Sequence, residues 1–174
     1  AQEQATPLTK TLLKQLLNNC DKSIMGIRNQ VLLRLGYETM RRRSELCAFK
    51  FEDIDSAPNG KPIIKLNFSK TDQFGTGKVL PISKKLLNLL EKWKEIVCSE
   101  GYILRSINKH GHIADSLNPA SISTILKTLE EELKNESNQQ PLSGHSFRVG
   151  AALDFLEQGE PLEKIMLRGG WQSD

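Results

Sequence analysis

His145 and Arg148 stand three residues apart in the segment Ser143-Gly144-His145-Ser146-Phe147-Arg148-Val149-Gly150-Ala151-Ala152. On a helix that spacing puts both side chains on one face. Close to a helix N-terminus, where backbone N–H groups and the dipole favour negative charge, such a pair suits an anion. Two other segments carry groups of the same kind. Arg41-Arg42-Arg43-Ser44-Glu45 sets an arginine three residues before a carboxylate, and Ser69-Lys70-Thr71 sets a lysine in a polar stretch that ends in Gly75-Thr76-Gly77. Each segment alone has an ordinary reading: a surface His beside a surface Arg, an Arg–Glu pair along a helix, and a solvated turn lysine.

The elements that would position these groups are legible in the pattern. Thr6-Pro7 opens a helix whose Leu8, Leu12, Leu13, Leu16 and Leu17 fall at helical spacing. Ile24, Ile27, Val31, Leu32 and Leu35 form a second stripe, which Gly36 is expected to end or loosen. Arg42 to Phe49 predicts a shorter helix with Leu46 inward. Ala57-Pro58-Asn59-Gly60 is a turn, and the alternating run from Lys61 to Phe68 predicts a strand. Lys78 to Ile82 predicts its antiparallel partner, with the Lys70–Gly77 stretch as the hairpin tip, and Phe51 to Asp55 a first strand. Ser83 caps a helix with a broad apolar face that includes Trp93, a predicted core residue. A loop with His110 and His112, a helix from Pro119 to Leu133 and a polar loop from Asn135 to Gln140 follow. The His145 segment opens a helix through Leu156; Gly159-Glu160-Pro161 separates it from a short one ending at Gly169-Gly170. The fold class is α+β, mainly α, with a small three-stranded antiparallel sheet inserted early, in one domain over residues 1–174.

Composition limits the function classes. With 174 residues, 38% apolar and 26% charged, the chain suits one ordinary globular domain. No apolar run approaches the roughly 20 residues of a membrane span, and the N-terminus lacks a signal-peptide pattern, so a cytoplasmic protein is expected. Cys20, Cys47 and Cys98 form no C-x-x-C pair, which points away from zinc and redox sites; no metal and no cofactor is expected. Cys47 and Cys98 read as small buried hydrophobes. The net charge of +3 is mild. Its distribution says more: Arg41, Arg42, Arg43, Lys50, Lys61, Lys65, Lys70, Lys78, Lys84 and Lys85 lie apart from Glu130-Glu131-Glu132. That separation suits a phosphate-binding face and equally a solvated surface of mixed charge.

Taken together and in this order, the motifs resemble the tyrosine recombinase (phage integrase) family, whose catalytic domain has the DNA breaking-rejoining fold. The resemblance covers nearly the whole chain. It runs from the helix before Arg42, through the hairpin lysine, to SGHSFRVGAALDFLEQG and Gly169-Gly170-Trp171.

The resemblance implies that Arg42, His145 and Arg148 clamp a scissile phosphate. Phosphoryl transfer spreads charge over the non-bridging oxygens, and arginine's planar fork holds such oxygens bidentately at any working pH. Lys70 matches the general acid that protonates the departing 5′ oxygen, with Lys78 on the same hairpin as its competitor. Trp171 matches a ring N–H donor to the phosphate, or is a packed aromatic. Glu45 matches the acidic residue that orients the catalytic groups, or is a local ion-pair partner. Arg41, Arg43, Lys78 and Ser146 are expected to touch DNA. The implied nucleophile is a tyrosine a few residues beyond the Trp171 position, past Asp174. The expectation is therefore a fragment without that tyrosine segment or the N-terminal core-binding domain, monomeric and inactive for cleavage. The intact protein is expected to bind double-stranded DNA as a tetramer and to integrate or excise a mobile element in the cytoplasm, at the nucleoid of a prokaryotic host. The same branch includes type IB topoisomerases, and a degenerate, non-catalytic DNA-binding relative is the further alternative.

Overall fold

A computed structural model of the chain describes residues 7–67 and 78–133 together with Ser146, Phe147, Gly150, Ala151 and Asp154. The polar loop at 135–140, the hairpin tip, and the stretch around 159–174 lie outside the described residues.

The first helix, α1 (Lys10–Asn19), starts where the Thr9 side chain accepts from the Leu12 N–H, and buries Leu13 and Leu16. Leu8, just ahead of the cap, is fully buried. Helix α2 (Ile24–Thr39) starts in the same way, with the Ser23 hydroxyl accepting from Gly26 N–H at 3.0 Å. Gly36 does not end it. The helix runs on to Thr39 and stops at Met40, a non-glycine residue in the left-handed region with φ of 54°. Gly36 serves packing instead: a Cβ there would lie 2.6 Å from the Phe147 ring. Arg42, in extended backbone, then leads into α3 (Arg43–Ala48), which buries Leu46 and Cys47.

The expected first strand at Phe51–Asp55 is shifted. Phe51–Asp53 is a 3-10 turn, because the buried Asp53 carboxylate accepts the Lys50 N–H at 2.8 Å and closes the chain on itself. Strand β1 (Ile54–Ser56) follows, then β2 (Pro62–Leu66) and β3 (Lys78–Pro81). All pair antiparallel in the order β1-β2-β3, with Ile54 opposite Ile64 and Leu66 opposite Lys78. The three-stranded sheet is the one the alternation predicts.

Helix α4 (Lys84–Val97) is capped by Ser83 and tied to α2 through Glu38. One Glu38 carboxylate oxygen accepts the Ser83 N–H at 2.6 Å, the other the Ser83 hydroxyl at 2.7 Å. Trp93 is fully buried, as predicted, with its ring N–H donated to the Ile103 carbonyl at 2.7 Å. Cys98 departs from expectation. It is the left-handed cap that ends α4, with φ of 57°, and it is exposed. Helix α5 (Ala120–Glu132) begins after Pro119 and buries Ile122, Leu126 and Leu129. One contiguous core joins α1, α2, α3, the sheet, α4 and α5 through residues such as Leu16, Leu32, Leu46, Ile64, Leu86, Trp93 and Leu126. Among the described residues no helix is long and apolar enough to cross a membrane.

Candidate active site

The three consecutive arginines between α2 and α3 meet different fates, and the turn at Met40 decides them. Arg41 is 5% exposed; its Nε–H donates to the Thr39 carbonyl at 3.1 Å, and its guanidinium lies 3.9 Å from a Glu45 oxygen. Arg42 is the N-cap of α3, with extended backbone (φ −67°, ψ 158°), and its side chain is exposed. Its own N–H donates to the other Glu45 oxygen at 3.1 Å. Among the described residues the Arg42 guanidinium has no hydrogen-bond or ion-pair partner. Arg43, also exposed, donates to the Ser123 hydroxyl of α5 at 3.3 Å.

Glu45 therefore does two jobs with one carboxylate. It closes the helix N-terminus, where an acid is favoured by the dipole, and it balances the buried Arg41. The result fixes the Arg42 backbone while its five guanidinium N–H groups find no partner among the described residues.

The hairpin is anchored from the same side of the chain. Asp53, six percent exposed, accepts both the Lys50 N–H and the Asn67 side-chain amide, the latter at 2.7 Å. Asn67 is the last described residue before the Ser69-Lys70-Thr71 stretch, and Lys78 is the first after it, exposed and opposite Leu66. Lys70 itself lies outside the described residues.

The third motif is represented by its inner face. Phe147, Gly150, Ala151 and Asp154 fall at helical spacing and have helical backbone. Phe147 and Ala151 are fully buried. Phe147 packs on Gly36, Gly150 lies against the Leu8 backbone so closely that a Cβ would sit 2.0 Å from the Leu8 carbonyl oxygen, and the Leu8 N–H donates to the Ser146 carbonyl at 3.0 Å. The Asp154 carboxylate takes the Tyr37 hydroxyl at 2.6 Å and the Lys10 N–H at 2.8 Å, both on Oδ2. Tyr37 is accordingly pushed above its ordinary pKa, first by burial and then by its bond to Asp154. His145, Arg148 and Trp171 lie outside the described residues.

Two of the residues expected to touch DNA are not at the surface. Arg41 and Ser146 are both buried. The i,i+4 carboxylate draws Arg41 inward, and Ser146 sits where its carbonyl receives the N-terminal segment. Among the described residues, Arg42, Arg43 and Lys78 are the expected site residues with exposed side chains. Sequence reasoning missed Tyr37, Asp53 and Asp154 as connecting groups. The spacing 147, 150, 151, 154 carried the signal for Asp154: it continues the buried stripe of Phe147 and Ala151, where a carboxylate must find donors. Among the described residues no three His, Cys, Asp or Glu side chains gather closely enough to hold a metal.

Residues 7–174 match the family described as the phage integrase family. The recombinase cre of Escherichia phage P1 is 29% identical over 172 residues, covering 91% of this chain and 50% of that protein. The chain spans about half the length of the curated relatives it matches. Among solved structures, that of XerA recombinase superposes with a TM-score of 0.75 at 16% identity, over 99% of this chain and 58% of the other. A lambda integrase tetramer bound to a Holliday junction superposes with a TM-score of 0.68 at 20% identity, over 100% and 49%. The helices α1–α5 and the three-stranded antiparallel sheet of the described residues carry the fold of that family's catalytic domain, and with residues 7–174 matched the chain belongs to the phage integrase family, the tyrosine recombinases.

Proposed function

We propose that these residues are the catalytic domain of a site-specific DNA recombinase that cuts and rejoins strands through a 3′-phosphotyrosyl intermediate. The observation that carries the reading is Arg42: exposed, backbone-clamped by Glu45, and with an uncommitted guanidinium. It lies three residues past the end of α2, whose Gly36 packs on Phe147, the residue before Arg148 in the sequence.

In this proposal Arg42, His145 and Arg148 hold the non-bridging oxygens of one phosphate, and Trp171 adds a ring N–H. Preorganised donors of this kind stabilise charge as it develops, without reorganising at the moment of reaction. The tyrosine hydroxyl loses its proton to solvent and its oxygen bonds to phosphorus as the bond to the 5′ oxygen breaks, Lys70 giving that oxygen its proton. A second 5′ hydroxyl then attacks the phosphorus, passing its proton to Lys70, and the phosphotyrosyl bond breaks with the tyrosine oxygen taking up a proton from solvent. Neither described tyrosine suits the nucleophile. Tyr37 donates to Asp154 and resists ionisation, and Tyr102 packs its ring 5.3 Å from the Lys50 ammonium. The nucleophile is thus assigned to residues other than these two, and the 174 residues alone bind duplex DNA without cutting it.

The partner is double-stranded DNA, engaged by a tetramer of the full-length protein at the nucleoid, and Arg43 and Lys78 contact its backbone. The Holliday-junction complex of the similar lambda integrase supports this assembly.

The test is covalent trapping. Full-length protein on a nicked duplex forms a denaturant-stable protein–DNA adduct, and Arg148→Ala or Lys70→Ala suppresses it. Normal adduct formation by the Arg148 variant overturns the clamp. The 174-residue chain forms no adduct, and its DNA affinity falls steeply with salt. An affinity indifferent to salt removes the phosphate-binding face.

A further inference from the structure

We propose that Tyr37 and Asp154 are a positioning pair, setting the angle between α2, which leads to Arg42, and the helical backbone of Phe147, Gly150, Ala151 and Asp154, neighbours in sequence of His145 and Arg148. The proposal rests on the reading of those three residues as one phosphate clamp.

Among the described residues the contacts between α2 and this backbone are apolar or small-residue ones apart from the Tyr37–Asp154 bond, and the backbone bond from Leu8 N–H to the Ser146 carbonyl comes from the segment before α1, not from α2. On one side of the seam lie Phe147, Gly150 and Ala151; on the other lie Gly36 and the Leu8 backbone. Apolar and small-residue contacts are non-directional, so they hold the elements together without choosing a register. The Tyr37–Asp154 bond is directional. It is 2.6 Å long, half-buried, and formed by an ionisable acceptor, the class of hydrogen bond about twice as strong as a neutral one. The same oxygen receives the N–H of Lys10, the first residue of α1. A helix start has unpaired N–H groups and favours an anion, so the carboxylate is fixed from a third direction.

Tyr37 sits one residue after Gly36 and five before Arg42. The geometry between is stiff: two residues of helix, the left-handed Met40, and the Glu45-clamped turn. A rotation of α2 about the seam is therefore passed to Arg42 with little loss. Misplacement of a clamp by about 1 Å can cost on the order of a hundredfold in rate. Neither Tyr37 nor Asp154 touches the phosphate; they act through the elements that lead to Arg42 and to the His145/Arg148 segment.

The experiment measures single-turnover cleavage and DNA affinity separately, in the full-length protein. Tyr37→Phe keeps the ring and its packing and removes the hydroxyl. The expected result is a cleavage rate reduced by roughly tenfold to a hundredfold at saturating DNA, with DNA affinity within about twofold. Asp154→Asn, which still offers an oxygen to Tyr37, retains most of the rate. Asp154→Leu loses as much as Tyr37→Phe, and the Tyr37→Phe/Asp154→Leu double variant loses no more than either single one. A Tyr37→Phe rate equal to wild type overturns the proposal. So does a rate loss accounted for by the unfolded fraction, read from a parallel melt. Arg42→Ala is the control for the clamp. If it is inactive while Tyr37→Phe is normal, the pair alone fails; if Arg42→Ala itself cleaves normally, the underlying reading fails.

Discussion

Arg28, near the start of α2, and Arg42, three residues past its end at the N-cap of α3, are treated in opposite ways. At the start, Arg28 is 4% exposed and donates to the Arg105 carbonyl at 3.1 Å and to the Asn29 side chain at 2.9 Å. Arg105, also buried, donates to the carbonyls of Tyr102 and Glu100 and reaches Asp115 at 4.0 Å. Both are staples for the loop between α4 and α5, donating to its backbone carbonyls at Arg105, Tyr102 and Glu100. Desolvation lowers the Arg28 pKa, and among the described residues no carboxylate compensates it. Past the other end, the backbone of Arg42 is held and its guanidinium is left over. Identical side-chain chemistry is structural where its donors are spent and available for a ligand where they are not.

The sharpest way to break this contrast is to exchange the losses. Arg42→Ala in the full-length protein should lower the cleavage rate by about 10²–10³-fold, the usual cost of one preorganised donor, while the melting temperature stays within a degree or two. Arg28→Met should do the reverse. It leaves the Arg105 carbonyl without its donor in the interior, at about 1–3 kcal/mol of stability, with cleavage per folded molecule unchanged. Single-turnover kinetics and thermal melts on both variants decide it. A folding defect in Arg42→Ala as large as that of Arg28→Met would erase the distinction.

A smaller effect sharpens the Arg42 end. In Glu45→Gln an amide oxygen still accepts the Arg42 N–H, but the charge that balances Arg41 and complements the α3 N-terminus is gone. Stability should fall by about 0.5–1 kcal/mol. The rate should fall less than in Arg42→Ala, because the guanidinium is still presented. A rate loss as deep as that of Arg42→Ala would mean Glu45 acts on the phosphate more directly than through the turn.

How much of this could be read from the chain follows from what each feature depends on. The helices of residues 10–39 and 84–132 and the β2–β3 pairing depend on local periodicity and capping residues, and the pattern of Leu, Ile and Ser gave them to within a few residues. Features set by tertiary neighbours were misread. Gly36 looks like a helix end because glycine weakens helices; here it admits the Phe147 ring, contributed from more than a hundred residues away. Phe51–Asp53 looks like strand because the Asp53 carboxylate's role in closing a turn is invisible without the Lys50 geometry. Arg41, Arg42 and Arg43 are interchangeable in composition, and their separate fates hinge on a left-handed methionine that no propensity anticipates. The family match, by contrast, was legible because motifs such as SGHSFRVGAA tie residue identity to chemistry rather than to packing.

The smallest expected effect tests whether the Arg42 end is as firmly built as its hydrogen bonds suggest. Cys47 is on the inner face of α3, 7% exposed, and burial pushes its thiol up to about 11 from 9.0. Cys20 is likewise raised to about 11, again chiefly by burial, while Cys98 stands exposed at the end of α4. A thiol reagent at pH 8 should therefore modify Cys98 first and leave Cys47 protected until α3 opens. The linkage has a definite sign. Below pH 9 the Cys47 thiol is neutral in both states and its contribution is fully present. Between about 9 and 11 the unfolded thiol ionises while the folded one does not, so stability falls as pH rises through that window. Cys47→Ala should flatten this part of the pH–stability curve relative to wild type without moving the rate of cleavage at neutral pH. Rapid labelling of Cys47 at pH 8, or an unchanged curve in the alanine variant, would show that α3 frays in the native state, and that the Arg42 turn is looser than the Glu45 clamp implies.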